Sequence, residues 1–297
     1  MGLGLHDHSF QMKSAADGQS LQVYAWHATA APRGCLVIAH GAAEHALRYD
    51  RFASALVGHG LEVIALDHRG HGRSPGPEGV GDFGKAGWAG LVSDLGQLID
   101  VVRATHSSLP VALLAHSMGS FAAQQLCHTR SASIDALVLS GSTVFDPSGE
   151  GEDGDEGLEL DLNAPFEPAR TAYDWLSRDE SEVDRYVADP CCGFESQPNG
   201  RIFSFEDLVA FGRPEGLRGA RADLPVLIAS GAEDPLHRQG SGLLELERRW
   251  REAGVRRVDT RVYPGARHEL LNELNRDEVT DDVRTWLLEV LPEPGVA

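Results

Sequence analysis

The sequence predicts an α/β fold: a mostly parallel sheet with helices on both faces, broken by one long insertion. Three observations lead there. Short β-rich runs recur along the 297-residue chain, and several are apolar at every position, as strands covered on both faces are. Amphipathic stretches separate these runs, which is the alternation of a parallel sheet with crossover helices. The alternation fails once, between about Thr143 and Asp223, where roughly 80 residues hold helix-like pieces but no clear buried strand.

In chain order the runs are "LQVYAWHA", "GCLVIAH", "GLEVIALD", "VALLAHS", "DALVLSG", "PVLIASG" and "VDTRVYP". Between the third and fourth, Leu91, Leu95, Leu98, Ile99 and Val102 fall at i, i+4, i+7, i+8 and i+11, one face of a helix over 88–106. The insertion contains "ARTAYDWLSRDESEVDRYVAD", which reads as helical. The last helix is expected to start at Asn275, with Glu278 three residues on as a capping-box-like pair, and to end at about Leu291 before Pro292. Residues 1–142 and 223–297 are therefore read as the core and 143–222 as a mainly helical cap, with 149–161 as an exposed, mobile acidic segment. No internal repeat is visible.

Charge excludes one class of partner. The chain has 26 Lys and Arg against 45 Asp and Glu, a net charge of −19, whereas nucleic-acid binding relies on clustered cations. The excess is uneven. No Lys or Arg lies between Arg130 and Arg170, and "EGEDGDEGLELD" at 150–161 holds seven carboxylates, a run that stays solvated. Apolar runs such as "CLVIA" and "VALLA" fall far short of the ~18 residues that cross a bilayer. The opening "MGLGLHDHSFQMK" shows no apolar signal region, and His6 stands where a myristoylation signal needs Ser or Thr, so a cytoplasmic location is expected. Cys35, Cys127, Cys191 and Cys192 are too few and too irregularly spaced for a disulfide framework or a zinc site, and are read as free thiols.

The chemistry begins at "LLAHSMGSF". An apolar strand that stops on Ser117 and resumes past Gly119 as a helix fits a nucleophile elbow, usually written GxSxG, with Ala115 in place of the first glycine. That position lies where strand and helix approach closely, so it asks for a small side chain, and alanine adds only a methyl. Reactive groups in such sheets collect at the carboxyl ends of strands. "PVLIASG" is followed by Asp234 and "VDTRVYP" by His268, so Ser, Asp and His occur in the order this architecture uses. His268 is the single histidine after His237; the acid is open between Asp234, which is favoured, adjacent Glu233, and Asp146 after the preceding strand. A serine hydroxyl becomes nucleophilic when an imidazole accepts its proton and a carboxylate fixes the imidazole tautomer. Oxyanion donors are expected at the N–H of Met118, next to the serine, and of Ala42 in the loop "IAHGAAEH". His40, His45, His68, His71 and His116 lack metal-ligand spacing and are read as structural hydrogen-bonding residues. No metal is expected, and Cys191 and Cys192 are assigned no role.

Four stretches, "HGAAEHALRYDRFASAL", "ALDHRGHGRSPGPEG", "LLAHSMGSFAAQQL" and "GARHELLNE", resemble the monoacylglycerol lipase and lysophospholipase branch of the α/β-hydrolase superfamily. The likeness covers about Leu21 to Leu291, and the cap stretch "LNAPFEPARTAYDWLSRDESEVDRYVADPCCGF" is similar to bacterial members of that branch. The resemblance implies the α/β-hydrolase fold, an eight-stranded sheet with a cap after the sixth strand, and no cofactor. It implies Ser117 as nucleophile, Asp234 as acid, His268 as base, and Ala42 and Met118 as oxyanion donors. The implied activity is hydrolysis of a small-molecule carboxylic ester, an esterase or lipase reaction; a thioesterase, an amidase and a silent ligand-binding relative are the alternatives. Related dehalogenases and epoxide hydrolases use an aspartate nucleophile, which Ser117 argues against. An acidic cap is repelled by anionic lipid, which favours soluble or short-chain esters over a lipid interface.

Overall fold

The computed structural model describes residues 8–144, 161–195, 217–237 and 239–292. Apart from Asp161, the predicted acidic segment 149–161 lies outside them, as does Asp146. Eight strands form one sheet: β1 His8–Lys13, β2 Ser20–Trp26, β3 Gly34–Ala39, β4 Leu61–Leu66, β5 Val111–His116, β6 Ala136–Ser140, β7 Val226–Gly231 and β8 Val258–Tyr263. Their order is β1-β2-β4-β3-β5-β6-β7-β8. The pairs β1 with β2 and β2 with β4 are antiparallel, and every later pair is parallel. All seven runs identified in the sequence are strands. The eighth, β1, carries no apolar run because it is an edge strand on which Met12 alone is buried.

The helices among the described residues are α1 Asp50–Val57, α2 Gly87–Thr105, α3 Met118–Arg130, α4 Glu180–Ala188, α5 Ser241–Glu252 and α6 Arg276–Val290. None is long and apolar enough to cross a membrane. Strand side chains alternate between two layers. Cys35, Val37 and Ala39 of β3 and Leu113 and Ala115 of β5 pack with α2, α3 and α5 through Leu91, Leu95, Phe121, Leu246 and Trp250. Leu36, Ile38, Ala112 and Leu114 face the other way, toward Phe52 and Leu56 of α1 and Val283, Trp286 and Leu287 of α6. Such two-sided burial is why β3 to β7 are buried at every position and built mainly of apolar residues. The five residues placed on one face of α2 are all buried. At α6 the expected capping box takes another form. Asn275 makes no side-chain bond to the helix backbone, and its Nδ2 donates instead to Glu278 Oε2 at 3.0 Å.

Arg69, fully buried, joins the β1–β2 turn to α2: its guanidinium donates to Asp94 Oδ2 at 2.8 Å, Asp17 Oδ2 at 2.9 Å, Phe83 O at 2.9 Å and Ser14 Oγ at 3.0 Å. Gly90 makes room, since a Cβ there would stand 2.5 Å from Arg69 Cζ. Removing one partner strands buried charge. Arg69→Ala is therefore expected to lower the free energy of unfolding by about 3–5 kcal/mol, read as a fall in the urea midpoint at unchanged slope.

Candidate active site

Strand β5 ends at His116, and Ser117 turns the chain into α3 with φ +49° and ψ −119°, a backbone that L residues rarely adopt and that stores about 1–3 kcal/mol. The turn is over-determined by its surroundings. Ser117 N–H donates to Ser140 O of β6 at 2.9 Å, and Ser117 O accepts from Ser120 N–H at 2.8 Å and Ser120 Oγ–H at 2.6 Å. Ser142 Oγ lies 2.8 Å from Ser120 Oγ and 3.1 Å from Gln124 Nε2, so the first turns of α3 are fastened to the end of β6. At Gly119 an added Cβ would meet Ala39 O at 2.3 Å and His40 O at 2.7 Å, both backbone atoms. Ala115 is fully buried in the layer beneath. Met118 N–H heads the helix, where no intrahelical acceptor exists.

At the end of β7, Asp234 is buried, and its Oδ2 lies 2.9 Å from Nδ1 of His268, which follows β8. Asp234 Oδ1 accepts Leu236 N–H at 2.9 Å. Burial works against this carboxylate, yet the charge and hydrogen bond of His268 and the Leu236 N–H hold its pKa below the ordinary aspartate value. Burial likewise disfavours the His268 imidazolium, and Asp234, with Glu269 and Glu44 behind it, outweighs that and raises its pKa. Glu233 is exposed, so of the two acids at this strand end it is Asp234 that meets His268. His268 packs at a tilt against His116, with ring centroids 4.7 Å apart, which brings it to the residue preceding Ser117. Gly141, at φ +54°, keeps the space between these rings clear: a Cβ there would lie 2.9 Å from both His116 Cε1 and His268 Cε1.

The loop after β3 completes the cluster. Gly41 lies against the elbow, since a Cβ there would stand 3.2 Å from Ser117 Cβ. His40 Nε2 accepts His68 N–H at 2.9 Å, so its proton sits on Nδ1, which donates to Gly41 O at 2.8 Å. Burial lowers the His40 pKa to about 3 and keeps it neutral. Because a trans peptide is planar, holding Gly41 C=O toward His40 turns Ala42 N–H the opposite way.

Around this loop the structure reveals a buried charge cluster that the sequence reading left unassigned. Arg48 forms a two-pronged pair with Glu269, at 2.5 and 2.6 Å, and reaches Glu44 Oε2 at 2.9 Å; Glu44 Oε1 accepts Tyr49 O–H at 2.9 Å and Gly41 N–H. Burial opposes the Glu269 carboxylate, and Arg48 overcomes it and lowers its pKa. The signal was present as Glu44 and Arg48 at i, i+4 in "EHALRY" and as Glu269 beside His268.

Residues 161–195 lie over these strand ends. Trp175 packs at a tilt against His268 with centroids 4.7 Å apart, and Leu176 O accepts Glu269 N–H at 2.7 Å. Fully buried Glu273 accepts Arg178 N–H, Arg178 Nε–H and Arg267 N–H, each at 2.9 Å. Tyr186 O–H and Gly193 N–H both donate to Ala43 O at 2.9 Å. Of the five histidines read as structural, His40, His45, His71 and His116 have polar ring partners. His68 departs from that reading: among the described residues neither ring nitrogen has a partner, and its backbone N–H does the work instead. The four thiols are free; Cys35 and Cys127 are buried, whereas Cys191 and Cys192 are both half-exposed.

A serine at a strained strand-to-helix turn, with a carboxylate–imidazole pair at the ends of two later strands, is the arrangement of the α/β-hydrolases. The chain belongs to the family described as serine aminopeptidase, S33, whose model matches residues 30–275. It is 32% identical over 293 residues to a monoacylglycerol lipase of Mycolicibacterium smegmatis, covering 96% of this chain and 98% of the relative. Identity to the human monoglyceride lipase is 30% over 293 residues, covering 95% and 91%. Among solved structures, a thermostable carboxyl esterase from Bacillus coagulans in complex with glycerol superimposes with a TM-score of 0.84 at 26% identity, covering 95% of this chain and 98% of that one.

The close approach at Gly119 yields a test of the elbow. Gly119→Ala drives a methyl into the β3 backbone and is expected to destabilise the fold by about 1–3 kcal/mol. Thermal unfolding against wild type measures it.

Proposed function

We propose that the protein hydrolyses carboxylic esters, monoacylglycerol-like or short-chain, through an acyl-enzyme on Ser117. The observation that carries this reading is the buried Asp234–His268 bond of 2.9 Å, with the His268 ring packed at a tilt against His116, the residue that precedes the elbow serine. With Nδ1 donating to Asp234, His268 keeps Nε2 free as the base. Ser117 Oγ attacks the ester carbonyl carbon as its proton passes to His268. Charge gathering on the carbonyl oxygen is met by Met118 N–H and Ala42 N–H, each such donor being worth roughly 2.7–4 kcal/mol in the transition state. His40 acts as a positioning residue by holding the Gly41–Ala42 peptide. The tetrahedral intermediate collapses, the alcohol leaves with the proton from His268, and a water activated by the same imidazole releases the acid and restores the serine.

Ester cleavage is favoured over amide or thioester cleavage because the relatives matched over nearly the whole chain are named as lipases and an esterase. A silent binding relative is disfavoured because Ser117, Asp234 and His268 are all retained. Residues 143–222 are taken as a cap, supported by the way Trp175 covers His268. A cytoplasmic location belongs to the same reading, and its support is the set of free thiols.

Two experiments test it. Hydrolysis of an ester series from acetyl to long-chain monoacylglycerols should fall on the order of 10⁴-fold or more in folded Ser117→Ala, and the chain-length optimum identifies the acyl group. Equal rates for the two proteins on every ester would remove Ser117 from the reaction. Because His268 must be neutral to accept a proton and its pKa is raised from 6.5, activity should be lost as pH falls through a midpoint above 6.5. Glu269→Gln removes a nearby negative charge and should move that midpoint to lower pH, which a kcat/KM profile reads directly.

A further inference from the structure

Outside the serine cluster, the loop after β3 and the turn after α4 bring together three side chains that ligate metals. His45 Nε2 lies 3.0 Å from Asp189 Oδ2, and the ligand atoms of His45, Asp189 and Cys192 all stand within 4.8 Å of one another. The turn after α4 is built to present two of them. Asp189 Oδ1 accepts Cys191 N–H at 2.8 Å, which leaves Oδ2 turned toward His45, and Cys192 N–H donates to Asp189 O at 3.0 Å, which folds the thiol back beside the carboxylate. The bonds from Tyr186 and Gly193 to Ala43 O hold this turn against the loop.

We propose that His45, Asp189 and Cys192 form a binding site for Zn²⁺ or a cation of similar softness. An imidazole, a carboxylate and a thiolate are a donor set zinc prefers, and two protein charges match a divalent ion. Two donors on a tetrahedral zinc stand about 3.3 Å apart, close to the spacing of His45 and Asp189. A small movement of the Cys192 side chain brings its sulfur to about 3.6 Å from each. The fourth position is left to water. On binding, the Cys192 sulfur bonds the metal and its proton passes to solvent. Nearby Arg48 offers little repulsion, since Glu44 and Glu269 already neutralise it. The partners stand 144 residues apart in sequence, so no local motif announces them. A bound ion would staple the turn after α4 to the loop that carries Ala42.

The test uses the full chain after treatment with a chelator. Titration with Co²⁺ should saturate at one equivalent and produce a thiolate-to-cobalt charge-transfer band, which Zn²⁺ abolishes by displacement. Cys192→Ser should lose the band and Cys191→Ser keep it, while His45→Ala and Asp189→Asn should weaken calorimetric Zn²⁺ affinity on the order of 100-fold. Ser117→Ala should bind as wild type does, which separates this site from the catalytic reading. In the wild type, Zn²⁺ should also protect Cys192 from iodoacetamide, a readout independent of how the variants fold. Absence of the band in wild type, or its persistence in Cys192→Ser, overturns the proposal.

Discussion

The backbone of Ser117 is held in a left-handed conformation by the packing of α3 onto β3, and the rest of the site is arranged around that contact. Gly119 allows the helix to approach until its Cα rests against the carbonyls of Ala39 and His40. The same approach places the loop after β3 next to the serine, so Gly41 has to be small as well. Gly141 performs the equivalent service at the end of β6, where a side chain would collide with both His116 and His268. Three glycines, one in the first turn of α3 and one just past the end of each of β3 and β6, thus serve one requirement: bulk is excluded where backbone and imidazole rings must meet. The strain at Ser117 is offset by hydrogen bonds to Ser140 and Ser120 that form in that conformation.

Charge is buried around this turn in paired form. Glu44, Arg48 and Glu269 satisfy one another, Arg69 gathers partners from segments distant in sequence, and Glu273 joins Arg178 to its own loop through Arg267 N–H. Such clusters contribute little net stability compared with apolar packing, but removing one member leaves uncompensated charge in the interior. Their effect here is to set geometry. Glu44 holds Gly41, Glu269 adds negative potential behind His268, and Glu273 ties the covering segment to the loop that carries the imidazole. The electrostatics of the pair and the attachment of the segment above it therefore share residues.

Much of this was legible in the sequence. Strands buried on both faces show as largely apolar runs, which is why β3 to β7 could be read directly, whereas β1 could not: an edge strand with one buried residue has no apolar signature. The helix α2 was legible because its five spaced residues all face the core. Ser117 stood out as a polar residue ending an apolar run before a small-residue turn, and His268 because one histidine follows the last strand. The acid was ambiguous, since Asp234 and Glu233 are neighbours of like chemistry; burial of one and exposure of the other separates them. Asn275 and Glu278 have the spacing of a capping box but bond each other, because spacing does not specify which donor a side chain finds.

The sequence by itself determined the layer order, the strand ends at which polar groups emerge, and the placing of Ser117 and His268 at two of them. These follow from local rules, periodicity of burial and chain order, that act over a few residues. Tertiary structure decided which carboxylate meets His268, which tautomer His40 adopts, how Arg48 is neutralised, and that His45 faces Asp189 and Cys192. Each of these depends on side chains brought together by sheet closure across tens to hundreds of positions, where hydrogen-bond partners are chosen by distance and burial, and no short stretch of sequence encodes that distance.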